Sequence, residues 1–548
     1  MNEKTIFLLQ KLIFILSGLA TTINFFTSHN AFMIFTVFLS FCILCLFSFT
    51  KTFKSINNKI NITKYKIPII AVAAIVSWSM ATRIYYNQAA SNLIQILGIE
   101  TQILQYFLIT LSIPFLTYYL GWFYLIFSKD IYSLLKKQLA FTKKDLYKLA
   151  TLILAILSIV FIINNITTVF FDPRAANLHP SHQYYGWYLD VIFQTDTDPL
   201  FPHYNVFIKD VPSSRQPLFS LFSFPFVAPL YGLSYLLFFL PNIYPTFVIS
   251  LQISLVFLST ILMYDIVKEN LKYPKLFVAF YLSTYSIVIF PLIIERFIFG
   301  LFFLILGIYL QHYKAQKNNI TVFSSIGAMG TNFLSSLIIF VLAIKCKKTN
   351  IKDKMLLFIK QSVVFLSMII VFGRLPIMFY FGTFEDNTRW LTQEVGFINQ
   401  IQQFSEFIFA SFIFPNTIID VRLFPRYEQA IVTQFNLTGI AIIVACIYAA
   451  IKNRKKFFVK IASFWFSISF ILLGVLGWSA SQHNMLLFSS FFSFSFVYLF
   501  YTYLENILNK FKWQKQIIIS IIAMLLLYNL YGLFDLLAFA VRYYSIWG

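Results

Sequence analysis

Apolar runs of roughly 20 residues, each long enough to cross about 30 Å of hydrocarbon, recur from one end of this chain to the other. A segment of that kind must satisfy its own backbone hydrogen bonds in lipid, and only helices and closed barrels do so. Repeated along 548 residues, such runs predict a polytopic helical membrane protein. Composition agrees, since 59% of the residues are hydrophobic and 11% charged, whereas soluble domains carry about 25% charged residues. A net charge of +21 would suggest nucleic acid in a soluble protein. Here the cations are spread over short links between apolar runs, where they set topology and meet anionic membrane lipid, so no nucleic-acid partner is expected.

Eleven of the 21 acidic residues fall in two stretches, 171–216 and 382–433, while the other connections are mostly basic. Because Lys and Arg in short links stay on the cytoplasmic side during insertion, the acid-bearing stretches are expected to be outer loops. The predicted fold is all-α and polytopic, with about 13–15 transmembrane or half-membrane helices. Residues 1–148 read as a four-helix membrane region beginning with a retained signal-anchor helix. Residues 149–354 read as a core carrying the first outer loop (171–216) and a juxtamembrane segment (217–240), and 355–548 as a C-terminal membrane region with the second outer loop (382–433). Pro225, Pro229 and Pro241 remove backbone donors and are expected to break a straight spanning helix over 217–240, leaving a partly embedded, re-entrant or juxtamembrane segment. A span over 276–294 should turn at Glu295 and Arg296, and two short helices should meet at the Gly-Ala-Met-Gly-Thr-Asn corner, 327–332. Cys42, Cys45, Cys346 and Cys446 form neither a disulfide framework nor a zinc pattern.

Four short segments carry chemistry. Asp172-Pro173-Arg174-Ala175-Ala176 follows a span expected to run outward, and Ser214-Arg215-Gln216-Pro217-Leu218-Phe219 comes about 40 residues later, ahead of the proline-punctuated segment. Glu295 and Arg296 form a charged corner, and Gly330-Thr331-Asn332 joins two short helices. Together these resemble the polyprenyl-phosphate-dependent glycosyltransferases of the GT-C fold. The first segment is similar to a degenerate Asp-Glu-x-Arg-Tyr-Ala motif. The second is similar to the basic-residue-Pro-Pro-Leu segment before an embedded helix, and Glu295 stands where a second carboxylate is often found. The resemblance covers mainly residues 149 to about 350, with Pro173 in place of a second acid and Gln216 in place of the first proline.

Moving a sugar from a lipid phosphate to a hydroxyl needs a base for the acceptor proton and cations or dipoles for the departing phosphate. Asp172, just beyond a span, is the leading catalytic candidate, with Glu295 and Asp190 behind it. Arg174, Arg215 and Arg296 are candidate phosphate partners, since guanidinium pairs bidentately. Tyr184 and Trp187, in the aromatic string that ends at Asp190, are substrate-contact candidates and equally good interfacial anchors. Asn332 joins them by its place in the corner. Each acid also has a plain structural reading: Asp172 as an interfacial acid before a proline turn, Glu295 with Arg296 as a self-paired corner. Asp196 and Asp198 with His179, His182 and His203 are metal-capable types without a recognised spacing. No metal-ligand set is assigned, and a divalent cation is left open.

The expected activity is transfer of a sugar from a polyprenyl-phosphate donor to an envelope glycan or lipid-linked acceptor, at the outer face of a bacterial cytoplasmic membrane. An envelope polysaccharide polymerase or ligase would differ in using a diphosphate-linked oligosaccharide. A flippase or transporter would favour paired repeats with charged midplane sites, whereas the clear charges here gather at the outer edge.

Overall fold

A computed structural model describes residues 216–240, 243–313, 319–345, 351–371, 396–414, 417–423, 426–431, 436–478 and 485–547, together with Ile153–Ile162 and a few isolated earlier positions. The regular elements among these residues are helices apart from one hairpin. In chain order the helices are α1 (Phe219–Leu236), α2 (Ile243–Val267), α3 (Pro274–Leu282), α4 (Tyr285–Ile289), α5 (Phe297–Tyr313), α6 (Asn319–Thr331), α7 (Ser335–Lys345), α8 (Ile351–Val371) and α9 (Phe397–Phe412). Strands β1 (Thr417–Leu423) and β2 (Arg426–Ile431) pair antiparallel, with Asp420 opposite Glu428. Then come α10 (Leu437–Lys452), α11 (Phe457–Ser469), α12 (Ser489–Leu508) and α13 (Gln514–Trp547).

Among the described residues, three helical stretches are long and apolar enough to cross a membrane: Ile243–Val267, Phe457–Val475 and Gln514–Asp535. The broken pair Pro274–Leu282 and Tyr285–Leu292, bent by 66°, makes a fourth if it is one span. The sequence predicted one span over 276–294, and the stretch is instead two helices, Pro274–Leu282 and Tyr285–Ile289, broken at Ser283 and Thr284. The first fails to continue because the Ser283 and Thr284 hydroxyls turn back to the carbonyls of Ala279 and Tyr281, while Asn529 of α13 takes the Ser283 carbonyl at 2.7 Å. A second correction concerns α1, which runs through both Pro225 and Pro229. Its core-facing residues Leu221, Phe222, Phe224 and Val227 are all buried, and that packing outweighs the loss of two backbone donors.

The chain divides into two compact units that are discontinuous in sequence. Among described residues, the first holds α1, the end of α5 from Leu310, α6, α7 and α8. The second holds α2 to Tyr309 of α5, then α9 to α13 with the hairpin. Its interior is a lattice of aromatic rings: Phe277 lies 5.5 Å from Tyr501, Phe412 is 5.8 Å from Phe496, and Trp465 is 5.1 Å from Phe492.

Three basic connections meet at one end of the second unit. Lys456, before α11, donates to the Asn270 carbonyl at 2.7 Å, and Lys272 donates to Gln514, at the start of α13, at 2.8 Å. Glu505, near the end of α12, accepts the backbone N–H groups of Lys272 at 3.1 Å and Tyr273 at 2.8 Å, just ahead of Pro274. Those amides precede the first turn of α3, so a remote carboxylate caps this helix where its own N-cap residue Tyr273 does not.

Candidate functional site

Of the sequence-predicted site residues, Asp172, Asp190, Arg174, Tyr184, Trp187 and Arg215 lie outside the described residues, as do Asp196, Asp198, His179, His182 and His203. Glu295 and Arg296 belong to the second unit and Asn332 to the first. No group of three or more His, Cys, Asp or Glu side chains suited to a metal ion occurs among the described residues.

The Glu295 corner is built by α2. Gln252, fully buried in the middle of that apolar helix, donates its side-chain amide to the carbonyls of Pro291 (3.0 Å) and Ile293, and accepts the Glu295 N–H at 3.2 Å. One amide thereby matches three backbone groups where the 3-10 turn Phe290–Leu292 runs out into extended backbone, groups that burial would otherwise leave unpaired. The Glu295 carboxylate, 8% exposed, accepts the Arg296 N–H at the entrance to α5. A negative charge there is stabilised by the helix N-terminus.

In the first unit, α6 ends at Thr331 and α7 starts at Ser335, so two short helices meet as expected, but the break falls at 332–334 and residues 327–331 of the predicted corner are the last turn of α6. Thr331 ends α6 by bonding its hydroxyl to the Gly327 carbonyl at 2.7 Å. The Asn332 carboxamide oxygen accepts the Leu334 N–H at 3.1 Å, and its backbone carbonyl accepts the Ser335 N–H at 2.9 Å, the pattern of an N-cap. Its Nδ2 is buried and has no partner. Against this corner lies the segment that opens α1. Leu218 donates its N–H to the Gly330 carbonyl at 2.9 Å, and a Cβ added at Gly330 would stand 2.6 Å from that of Leu218. Only glycine permits this approach.

Glu406 and Glu505 are among the acids to which the sequence assigns no role, and the structure buries both. Glu406 of α9, buried in the stretch read as the second outer loop, accepts the Asn436 side-chain amide at 2.8 Å, while Asn436 caps α10 through the Gly439 N–H. Burial raises its carboxyl above the ordinary range, opposed by the Asn436 bond. Glu505, at the end of α12 among the basic connections, is raised in the same way, against the pull of the Tyr273 and Lys272 amides. Gln252 and Asn529 were also missed. The available signal was a lone amide inside a long apolar run, which is expensive in lipid unless it has partners.

No protein-family model matches this chain, and no curated protein or solved structure matches it either.

Proposed function

We propose that this protein is a membrane glycosyltransferase that takes a sugar from a polyprenyl-phosphate donor and places it on an envelope glycan or lipid-linked acceptor outside the cytoplasmic membrane. One contact carries the reading. The Gln216-Pro217-Leu218 segment and the Gly330-Thr331-Asn332 corner, more than a hundred positions apart in sequence, are joined through the Leu218 N–H and the Gly330 carbonyl. Both are segments on which the resemblance to GT-C enzymes rests, and Arg215 directly precedes the first of them. The meeting of the basic connections 268–275, 452–456 and 510–515 at one end of the second unit is further support, because Lys retention requires them on the same side. In this reading Asp172 accepts the acceptor's proton and Arg174, Arg215 or Arg296 pairs with the phosphate.

Mass spectrometry of envelope glycans and lipid-linked sugars from deletion and wild-type cells tests the reading. Loss of one glycan substituent with accumulation of a polyprenyl-monophosphate sugar is the expected result. Accumulation of a diphosphate-linked oligosaccharide would instead indicate a polymerase or ligase, and unchanged glycans would overturn the proposal. With purified protein, Asp172→Asn should slow transfer by about 10² to 10⁴. Arg215→Ala should weaken donor binding and leave the pH profile in place.

A further inference from the structure

Ser325, fully buried in α6, is the meeting point of three helices of the first unit. It accepts the side-chain amide of Gln311, at the end of α5, at 2.8 Å and that of Gln361, in α8, at 3.0 Å. Its own proton goes to the Thr321 carbonyl at 2.7 Å. A hydroxyl has one proton and two lone pairs, so Ser325 is saturated.

That saturation dictates what lies around it. With no proton left on Ser325, both glutamines must present Nε2 to it and turn Oε1 away. Both Oε1 atoms are buried without a donor. Thr321, one turn before Ser325 on the same face of α6, is 1% exposed and its Oγ1 also has no partner. The cluster thus holds two oxygens that need protons and one hydroxyl that has a proton to give.

A water molecule has the complementary inventory: two protons and an accepting lone pair. We propose that Gln311, Gln361 and Thr321 hold one buried water, which donates to both glutamine oxygens and accepts from the Thr321 hydroxyl. The residues of the cluster include no carboxylate, and an ion buried without a counter-charge is strongly disfavoured, so the guest is neutral. The water would extend the Ser325 junction into a closed network tying the C-terminal end of α5, the first turns of α6 and the middle of α8.

Thr321→Val, nearly isosteric, tests this in the full-length protein in detergent. An unmatched buried hydroxyl is a liability, so without a guest the substitution should leave Tm unchanged or raise it. With the water, Tm should fall by about 2–4 °C. The shift should also combine non-additively with that of Gln361→Met, because both variants break one network. Melting in NaCl, KCl and choline chloride should give the same Tm; stabilisation by Na⁺ or K⁺ that Thr321→Val abolishes would replace the water by a cation. If either variant fails to fold, an experimental map of the native protein decides. Density within hydrogen-bonding distance of Gln311 Oε1, Gln361 Oε1 and Thr321 Oγ1 supports the proposal, and a dry site overturns it.

Discussion

The two units mend their broken helices in different ways. In the second, the break between α3 and α4 is closed from far along the chain, because Asn529 donates to the carbonyls of Ser283 and Phe412 at 2.7 Å each and accepts the Phe414 N–H at 2.8 Å. Gln252 does the same for the segment 291–295 from the middle of α2. In the first unit, the break between α6 and α7 is capped by its own Asn332 and Thr331 and needs only a close-packed neighbour at Gly330. Irregular backbone at membrane depth survives only where protein or enclosed water satisfies it. A remote side chain that holds several backbone groups therefore concentrates risk in one residue, whereas a local cap spreads it.

Substitutions that remove these devices should rank accordingly. Asn529→Leu strands two buried carbonyls and one N–H, and should cost about 3–5 kcal/mol in denaturant or thermal unfolding in mild detergent. Asn529→Asp keeps only the Phe414 bond and should recover little. Gln252→Leu, which releases Pro291, Ile293 and Glu295, should cost about 2–4 kcal/mol. Gly330→Ala forces a methyl group against Leu218 and should cost about 1–3 kcal/mol. Asn332→Ala loses only a cap and should cost about 1 kcal/mol. Were Asn332→Ala to destabilise the protein more than Asn529→Leu, the contrast between remote and local mending would be wrong.

A titration sharpens the comparison with the smallest effect. Glu505 mends the start of α3 from α12 with a carboxylate instead of an amide. Burial holds its folded pKa above the ordinary 4.5. Its contribution is therefore fully present below that ordinary value and is lost as pH rises through the raised one. The stability of wild type relative to Glu505→Gln should decline over that window. A difference that stays flat or grows with pH would mean that the two backbone amides outweigh burial.

Hydropathy and charge, read along the chain alone, determined the helical membrane class, the short helix pair around 327–332 and the basic character of the connections that gather at one end of the second unit. These are local or summed properties, and no partner is needed to read them. Prolines misled in α1, where packing on either side overrode the missing donors. The break at Ser283 was decided only by tertiary structure: nothing within the apolar run announces that its carbonyl will be taken by an asparagine 246 positions away. Gln252 and Asn529 stand in the sequence as lone amides in apolar helices, visible as anomalies but silent about their purpose. An amide shows that a partner must exist, whereas the fold alone selects which backbone groups it meets, because helix breaks and their braces come from distant parts of the chain.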